Sequence, residues 1–218
     1  MDILGIKFAN VTMDEAVAQA ENCRIVFTPN PEIVWIAQKN KKLKTALEQA
    51  DMLLPDGIGI VIASKIKRKP LKERVAGFDF FTQLLNNGKK VFLFGSKPGV
   101  AEKVNLPNIV GRHHGYFSEE DNQAIIDSIN ASGAEVLAVC LGAPKQEIWI
   151  VENIDKLNVK LAIGLGGAID VLAGEVKRAP RGWQKMGLEW LYRALKEPKR
   201  FKRLAVLPLF LWRVLWHK

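Results

Sequence analysis

The chain has 218 residues, 48% of them hydrophobic, and a formal net charge of +9. This length suits one medium domain, or one domain with an appendage, and the apolar content is ample for a core. The start of the chain lacks the features of a signal peptide, and no run of about 20 apolar residues predicts a conventional membrane span. Cys23 and Cys140 lie in apolar runs, which predicts buried free thiols in a reducing compartment.

The positive charge is concentrated in the C-terminal part of the chain. Residues 176–218 contain 12 Lys or Arg and 2 Asp or Glu, whereas residues 1–175 contain 20 basic and 21 acidic residues. The body is therefore close to neutral, and the tail carries the whole excess. This asymmetry indicates that the tail meets an anionic surface, either a membrane or a nucleic acid.

The first elements are short. Residues 1–8 alternate enough to predict a single strand, and Thr12 with Glu15 has the capping-box spacing of a helix that runs to about Asn22. The next strand, over 24–28, is stopped by a proline.

A polar loop follows this strand, with the sequence T-P-N-P-E. Its two prolines fix the backbone and leave Thr28 and Asn30 presenting polar groups at the carboxyl end of the strand. The alternative is an ordinary proline-rich turn before a helix over 32–39. A second helix, over 41–50, leads into the next strand.

Asp56 follows the apolar run Met52–Leu54 and Pro55, in the turn pair Asp56-Gly57. An apolar run that stops at a turn is typical of a buried strand, and chemistry in α/β sheets collects at the carboxyl ends of such strands. Asp56 is therefore a candidate general base. The alternative is that Asp56 only caps the helix that starts near Ile58.

The loop E-R-V-A-G-F-D places Arg74 before a helix that is predicted to run from Phe78 to about residue 86. A guanidinium fork in such a loop suits a phosphate or a carboxylate. The alternative is a surface salt bridge with Glu73 or Asp79. The preceding basic run, 65–69, is interpreted as a solvated helix end.

The middle of the chain gives weaker signals. The strand over 91–94 and the glycine turn after it predict a helix whose N-terminus could hold phosphate, although no complete phosphate-binding motif is present. Adjacent His113 and His114 have no further ligand at metal-binding spacing. Ser118 is predicted to begin a helix that reaches about residue 131.

Two further strands end in polar, glycine-containing loops. The strand over 135–141 ends in G-A-P-K-Q-E and places Gln146 at the start of a helix. The strand over 160–165 ends in G-G-A-I-D, where Asp170 could hydrogen-bond a ligand. The alternative for Asp170 is an ordinary acidic residue in the first turn of a helix.

Strands and helices thus alternate to about residue 174. This pattern predicts an α/β fold with a doubly wound, largely parallel sheet (Rossmann-like) as the catalytic domain over residues 1–176. Because parallel strands end at one edge, the recurring polar side chains predict a single site there. The sequence contains no pattern typical of a Ser/His/Asp triad, a cysteine nucleophile or a metal cluster.

The tail, residues 177–218, is predicted to be a basic amphipathic helical appendage. Arg193, Arg200 and Arg203 are spaced to share one face, and the last 15 residues mix Trp and Leu with basic residues. This composition is typical of an interfacial helix in anionic headgroups, and nucleic acid would leave its apolar surface exposed. The alternative is a helix docked on the body or on a second subunit.

Six motifs occur in order along almost the whole chain: T-P-N-P-E, L-P-D-G, E-R-V-A-G-F-D, L-G-A-P-K-Q-E, G-L-G-G-A-I-D-V-L-A-G, and R-A-P-R-G-W followed by G-L-E-W-L-Y-R and E-P-K-R. Together they resemble the WecG/TagA/CpsF family of bacterial glycosyltransferases, and within it the TagA type. The resemblance implies inverting, metal-independent transfer of N-acetylmannosamine from UDP-ManNAc to undecaprenyl-diphosphate-linked GlcNAc, for the linkage unit of wall teichoic acid.

The resemblance also implies roles for individual residues. Asp56 would be the general base, and Arg74 would face the leaving or lipid diphosphate. Thr28 and Asn30 would line the sugar pocket, and Gln146 and Asp170 would hold the nucleotide. The tail arginines would close over the active site when the tail meets the membrane: Arg193, Arg200 and Arg203.

The implied surroundings are the cytoplasmic face of the bacterial cell membrane, with peripheral attachment to an anionic surface. No cofactor, metal or nucleic acid is expected, and a homo-oligomer is a further expectation. Two alternatives stay open: a family member that uses UDP-ManNAcA or UDP-glucose with a lipid-linked acceptor, and a non-catalytic nucleotide-binding module at the membrane surface.

Overall fold

The computed structural model describes residues 1–196 and 205–216, without the side chains of Lys185 and Arg193. Most element boundaries lie within three residues of those predicted from the sequence. In chain order the helices and strands are β1 (Asp2–Ile3), β2 (Ile6–Lys7), α1 (Met13–Ala20), β3 (Ile25–Phe27), α2 (Pro31–Ala37), α3 (Lys41–Glu48), β4 (Met52–Leu53), α4 (Ile58–Ile66), α5 (Gly77–Asn86), β5 (Val91–Gly95), β6 (Ile109–His113), α6 (Asn122–Ala131), β7 (Val136–Cys140), α7 (Lys145–Asn153), β8 (Leu161–Gly164), α8 (Ala168–Leu172), α9 (Arg181–Lys185), α10 (Glu189–Lys196) and α11 (Val206–Trp216).

Six strands form one sheet in the order β4-β3-β8-β7-β5-β6. Every pairing between neighbours in this sheet is parallel. The predicted α/β fold with a parallel sheet is therefore confirmed. All six strands end at the same edge, which is where the polar loops that follow them come together.

Helices cover both faces of the sheet, and the strand side chains alternate between the two cores. On β3, for example, Ile25 and Phe27 face a core formed with α2, α3, α6 and α7, whereas Val26 faces a core formed with α1, α5 and α8. Because both faces are buried, these strands are continuously apolar rather than alternating. This burial makes the sheet a rigid support for the loops at its edge.

The N-terminal residues form a hairpin, so the prediction of one strand over 1–8 was wrong. β1 and β2 pair antiparallel, and Leu4 and Gly5 between them have φ values of 56° and 80°. Positive φ at both turn positions is the type I′ geometry that matches the twist of a two-residue hairpin. Leu4 is an unusual residue for this turn, which is why the sequence gave no turn signal there.

Two helices in the middle of the chain differ from the prediction. After the glycine turn that follows β5, the structure has a short 3-10 turn, Ala101–Lys103, where the sequence predicts a helix; binding of phosphate there stays a prediction. α6 begins at Asn122 instead of Ser118, because Ser118 donates from its backbone N–H and its hydroxyl to the Asp121 carboxylate and closes a local turn.

The described part of the tail packs against the body. α11 lies on α2 and α4, with Phe210 and Val214 fully buried, which confirms the docked-helix alternative for its inner face. A Cβ at Gly59 would lie 2.5 Å from Leu207, so glycine at this position allows the close approach. Pro208 falls in the first turn of α11, where proline does not break a helix.

No helix among the described residues combines the length and the apolar character needed to cross a bilayer. Cys140 is buried as predicted, but Cys23 is only half-buried, and both thiols are free. The prediction of burial was therefore wrong for Cys23, which lies in the turn between α1 and β3 and not within a strand.

Candidate active site

A cavity of about 530 Å³ opens at the carboxyl edge of the sheet. Its walls come from the loops after four neighbouring strands, β4, β3, β8 and β7, together with the loop before α5 and the start of the tail. This volume is within the range of small-molecule sites. The cavity brings together six of the predicted site residues: Thr28, Asn30, Asp56, Arg74, Gln146 and Asp170.

Thr28 and Asn30 form the wall that follows β3. The Thr28 hydroxyl is buried and donates to the Gly164 carbonyl at 3.3 Å, which ties β3 to the end of β8. The Asn30 Oδ1 accepts from the Ile33 N–H at 3.0 Å and caps α2. This bond uses only the side-chain oxygen of Asn30, so its NH2 group can still donate to a ligand. The turn is thus both a helix start and part of the cavity wall.

Asp56 lies half-buried on the cavity wall after β4. Its backbone N–H donates to the Pro29 carbonyl at 3.3 Å, and the Pro55 carbonyl accepts from the Val75 N–H at 3.1 Å. These bonds join three loops of the site into one unit. α4 has Gly57 as its N-cap residue, with φ of 85°, so Asp56 lies one position before the cap, and the choice between a capping and a catalytic role stays a prediction.

Arg74 lines the same cavity, in the loop before α5. Its Nη2 donates to the Gln184 carbonyl at 3.3 Å. The two predicted salt-bridge partners are engaged elsewhere: Glu73 accepts from the Met13 N–H, and Asp79 binds Arg178. The surface salt-bridge alternative for Arg74 is therefore not supported by the described residues, and the guanidinium is available at the cavity.

Gln146 is 2% exposed and uses both ends of its amide within the protein. Its Nε2 donates to Glu147 Oε1 at 2.8 Å, and its Oε1 accepts from the Gly166 N–H at 2.9 Å. Gln146 thus holds the glycine turn after β8 against the cavity. The direct nucleotide contact implied for Gln146 stays a prediction.

Glu147 is a buried carboxyl group that the sequence analysis passed over as a helix residue. It is 1% exposed, and its Oε2 has no hydrogen-bond partner among the described residues. Desolvation raises the pKa of the Glu147 carboxyl, although the hydrogen bond from Gln146 opposes this effect. Glu147 Oε1 is thus the acceptor that fixes the orientation of the Gln146 amide.

Replacement of Glu147 by Gln should make the protein increasingly more stable than the wild type as pH rises, because the neutral amide has no charge to desolvate. At pH values between the pKa of Glu147 in the unfolded chain and its raised pKa in the folded protein, the folded wild type binds more protons than the unfolded chain. The stability of the wild type therefore falls as pH rises through this range. Thermal melts from pH 4 to 8 should show the gain of Glu147→Gln growing with pH. Glu147→Ala, the control, should lower the midpoint at every pH; a Glu147→Gln gain independent of pH would contradict this assignment.

Asp170 lies in the first turn of α8 and also lines the cavity. Its Oδ1 accepts from the Ser96 hydroxyl at 2.5 Å, and Ser96 has φ of 62°. The Asp170 carboxylate is thus fixed by a residue from the loop after β5. Asp170 is thus an acid in the first turn of a helix, and its contact with a ligand stays a prediction.

The comparisons with known proteins can now be set beside this geometry. The model of the glycosyl transferase WecG/TagA/CpsF family matches residues 1–218. This chain belongs to that family. A Bacillus spizizenii protein is 39% identical over 205 residues, covering 88% of this chain and 79% of the relative. A Staphylococcus aureus protein is 35% identical over 233 residues, covering 98% of this chain and 91% of the relative. Both relatives carry the name N-acetylglucosaminyldiphosphoundecaprenol N-acetyl-beta-D-mannosaminyltransferase.

The tail of this family member reaches the cavity at two places. α10 contributes Glu189, Trp190 and Ala194 to the cavity wall, and the start of α11 contributes Val206 and Leu207. Arg193 lies on α10, but its side chain is outside the description, and Arg200 and Arg203 lie outside the described residues. The predicted closure of these three arginines over the site therefore stays a prediction.

Arg178 is a cavity residue of this glycosyltransferase that sequence reasoning missed. It binds the Asp79 carboxylate through both terminal nitrogens, at 2.5 and 2.8 Å, and its CZ atom lies 4.8 Å from the Phe78 ring centroid. The signal in the sequence was an arginine in R-A-P-R and an aspartate in G-F-D. These residues are 99 positions apart, so no local pattern paired them.

Cys140 also lines the cavity, and burial raises the pKa of its thiol to about 12. It is therefore protonated at neutral pH and unsuited to act as a nucleophile. Within residues 1–196 and 205–216, no group of three or more His, Cys, Asp or Glu side chains is arranged to hold a metal ion.

Proposed function

We propose that this chain transfers N-acetylmannosamine from UDP-ManNAc to GlcNAc on undecaprenyl diphosphate, with inversion and without a metal ion. The observation that carries the proposal is the presence of Asp56, Thr28 and Arg74 on one cavity, in a chain whose relatives are named for this transfer. The product would be the linkage unit of wall teichoic acid. Asp56 is the residue on which the chemistry depends.

Inversion requires one base on the side of the sugar opposite the leaving group. The Asp56 carboxylate takes the proton from the acceptor hydroxyl, and the resulting oxygen forms a bond to the anomeric carbon. The bond from that carbon to the UDP oxygen breaks, and UDP carries away the electron pair. Asp56 suits this role because its loop is fixed by the hydrogen bonds to the Pro29 and Val75 loops. A rigid base keeps the reacting groups aligned.

The charge that develops on UDP has to be met by the protein. Four helices of the body, α2, α4, α5 and α8, begin at residues that line the cavity, and helix N-termini favour anions. Arg74 adds a guanidinium beside them. Four carboxylates on the described wall, Glu32, Asp56, Asp170 and Glu189, oppose this effect.

The predicted role of the tail arginines follows from this balance. The described wall has two arginines, and Arg178 is already bound to Asp79, which leaves Arg74 as the described side-chain cation for a diphosphate. Arg193, Arg200 and Arg203 would supply the missing positive charge when the tail closes. This requirement would link turnover to the surface where the tail is held.

The outer face of α11 supports peripheral attachment to the cytoplasmic face of the membrane. Leu209, Trp212 and Trp216 are 50%, 63% and 75% exposed, at helical spacing on one side of the helix. Exposed Trp and Leu beside a strongly basic segment suit an interface with anionic headgroups. The lipid-linked acceptor would reach the cavity from the same surface.

A screen of donors tests the proposal. With lipid-linked GlcNAc as the acceptor, UDP release should be fast with UDP-ManNAc and at least about tenfold slower with UDP-ManNAcA or UDP-glucose. UDP-ManNAcA carries a further carboxylate, and the described wall has no spare cation for it beyond Arg74. Faster release with either of the other donors would overturn the choice of sugar. Binding of UDP without release from any donor would indicate the non-catalytic module.

A further inference from the structure

Asp79 and Arg178 form an ion pair at the base of the tail. Asp79 lies in the first turn of α5, on the body, and Arg178 opens the segment 178–190, here called the root segment. The Arg178 side chain is 19% exposed, and its Nε lies 3.5 Å from Glu189 Oε1 at the other end of the same segment. The two-pronged bond therefore joins the body to Arg178 at one end of the root segment, and the Nε of Arg178 lies beside Glu189 at the other end.

The root segment is held rigidly between these ends. The Gln184 Nε2 donates to the Ala179 carbonyl at 2.5 Å, and Ala179 is buried. Gly187 has φ of 71°, and a Cβ there would lie 2.8 Å from the Ile58 side chain. The segment is thus packed against the start of α4, directly beside the Asp56 loop.

The backbone of this segment contacts the candidate catalytic arginine. The Gln184 carbonyl accepts from Arg74 Nη2 at 3.3 Å. A guanidinium is planar and rigid, so a bond to one terminal nitrogen orients the remaining donors. Those remaining donors of Arg74 are the ones that can face a diphosphate in the cavity.

We infer that the Asp79–Arg178 ion pair is a positioning pair for Arg74, acting through the Gln184 carbonyl. The inference rests on the proposed function, because that function gives Arg74 its role toward diphosphate. Neither Asp79 nor Arg178 has to touch the reacting atoms. Loss of the ion pair releases the root segment from the body and shifts the Gln184 carbonyl. The Arg74 guanidinium then no longer has a fixed orientation.

The test is a double-mutant cycle with Arg74. Asp79→Asn and Arg178→Lys each remove the two-pronged bond with little change in size. Each variant should lower kcat with UDP-ManNAc by about tenfold, while KM stays within about twofold. In the Arg74→Ala background the same changes should cost nothing further, because the positioned group is gone. The affinity for UDP, measured by calorimetry in the absence of turnover, should also fall in each single variant. In the Arg74→Ala background the same changes should lower it no further.

A matched control is Glu175→Gln, which breaks the exposed Lys103–Glu175 ion pair just before the root segment. It should leave kcat, UDP affinity and the melting midpoint unchanged. The inference would be overturned if the double variants lost activity by the product of the two single losses. A normal kcat in Asp79→Asn would also overturn it. Absence of transfer by the wild type would instead overturn the proposed function, and the UDP-affinity cycle would still decide whether the pair positions Arg74.

Discussion

Replacement of Asp56 by Asn is expected to lower the rate of sugar transfer by about 100- to 10,000-fold, the range that a positioned general base contributes. Asn has nearly the same shape, so the loop and its backbone bonds to the Pro29 and Val75 loops should persist. The affinity for UDP should therefore change little. The measurement is single-turnover transfer to lipid-linked GlcNAc, with UDP binding followed by calorimetry.

Asp170→Asn provides the matched control, since Asp170 is the other half-buried aspartate on the cavity wall. Its proposed contact is with the nucleotide, so this change should weaken UDP binding and leave the chemical step of bound substrate nearly intact. Asp56→Asn should thus lower the rate of the chemical step, whereas Asp170→Asn should lower the affinity for UDP. Near-normal single-turnover rates in Asp56→Asn would remove Asp56 as the base, whatever Asp170→Asn does.

Replacement of both Trp212 and Trp216 by Ser is expected to lower the affinity for vesicles of phosphatidylglycerol and phosphatidylcholine by about 100-fold. Each ring is mostly exposed in the protein, and the apolar surface that it would bury in the interface is worth about 1.5 kcal/mol or more. Turnover on vesicle-bound acceptor should fall with the loss of binding. Co-sedimentation and a thermal melt give the two measurements needed.

The fold itself should not change in this variant, because the inner face of α11 stays intact. Phe210→Ala is the contrasting variant: Phe210 is fully buried on α2 and α4, so its truncation should cost about 3–5 kcal/mol of stability. Tyr116→Ser is the matched surface control, since Tyr116 is 64% exposed but lies in the loop after β6. Undiminished vesicle binding by Trp212→Ser/Trp216→Ser would refute an interfacial role for this face.

The part of the fold that local sequence signals specify was predictable. The capping box of Thr12 and Glu15 is present as expected, and the apolar runs that lead into the polar loops of the site form β3, β4, β7 and β8. The convergence of Thr28, Asp56, Gln146 and Asp170 was also predictable, because parallel strands present their carboxyl ends at one edge. The family motifs then gave these positions their proposed chemistry.

The burial and the hydrogen-bond partners of some individual residues were not predictable. Glu147 reads as an exposed acid in the first turn of a helix, yet the fold buries it against Gln146. Ser118 has the composition of a helix start, but its bonds to Asp121 close a separate turn first. In both cases the packing around the residue decides which hydrogen-bond partner it has. The local sequence pattern contains no information about that packing.

By itself the sequence determined the order of strands and helices, the edge at which polar side chains gather, and the concentration of positive charge in the tail. These depend on short-range propensity, apolar periodicity and composition, which can be read along the chain. Only the tertiary structure decided that Arg74 meets the Gln184 carbonyl, that Arg178 binds Asp79, and that α11 buries Phe210 on the body. Such contacts join residues that are about 100 or more positions apart, and close packing of the whole domain selects them.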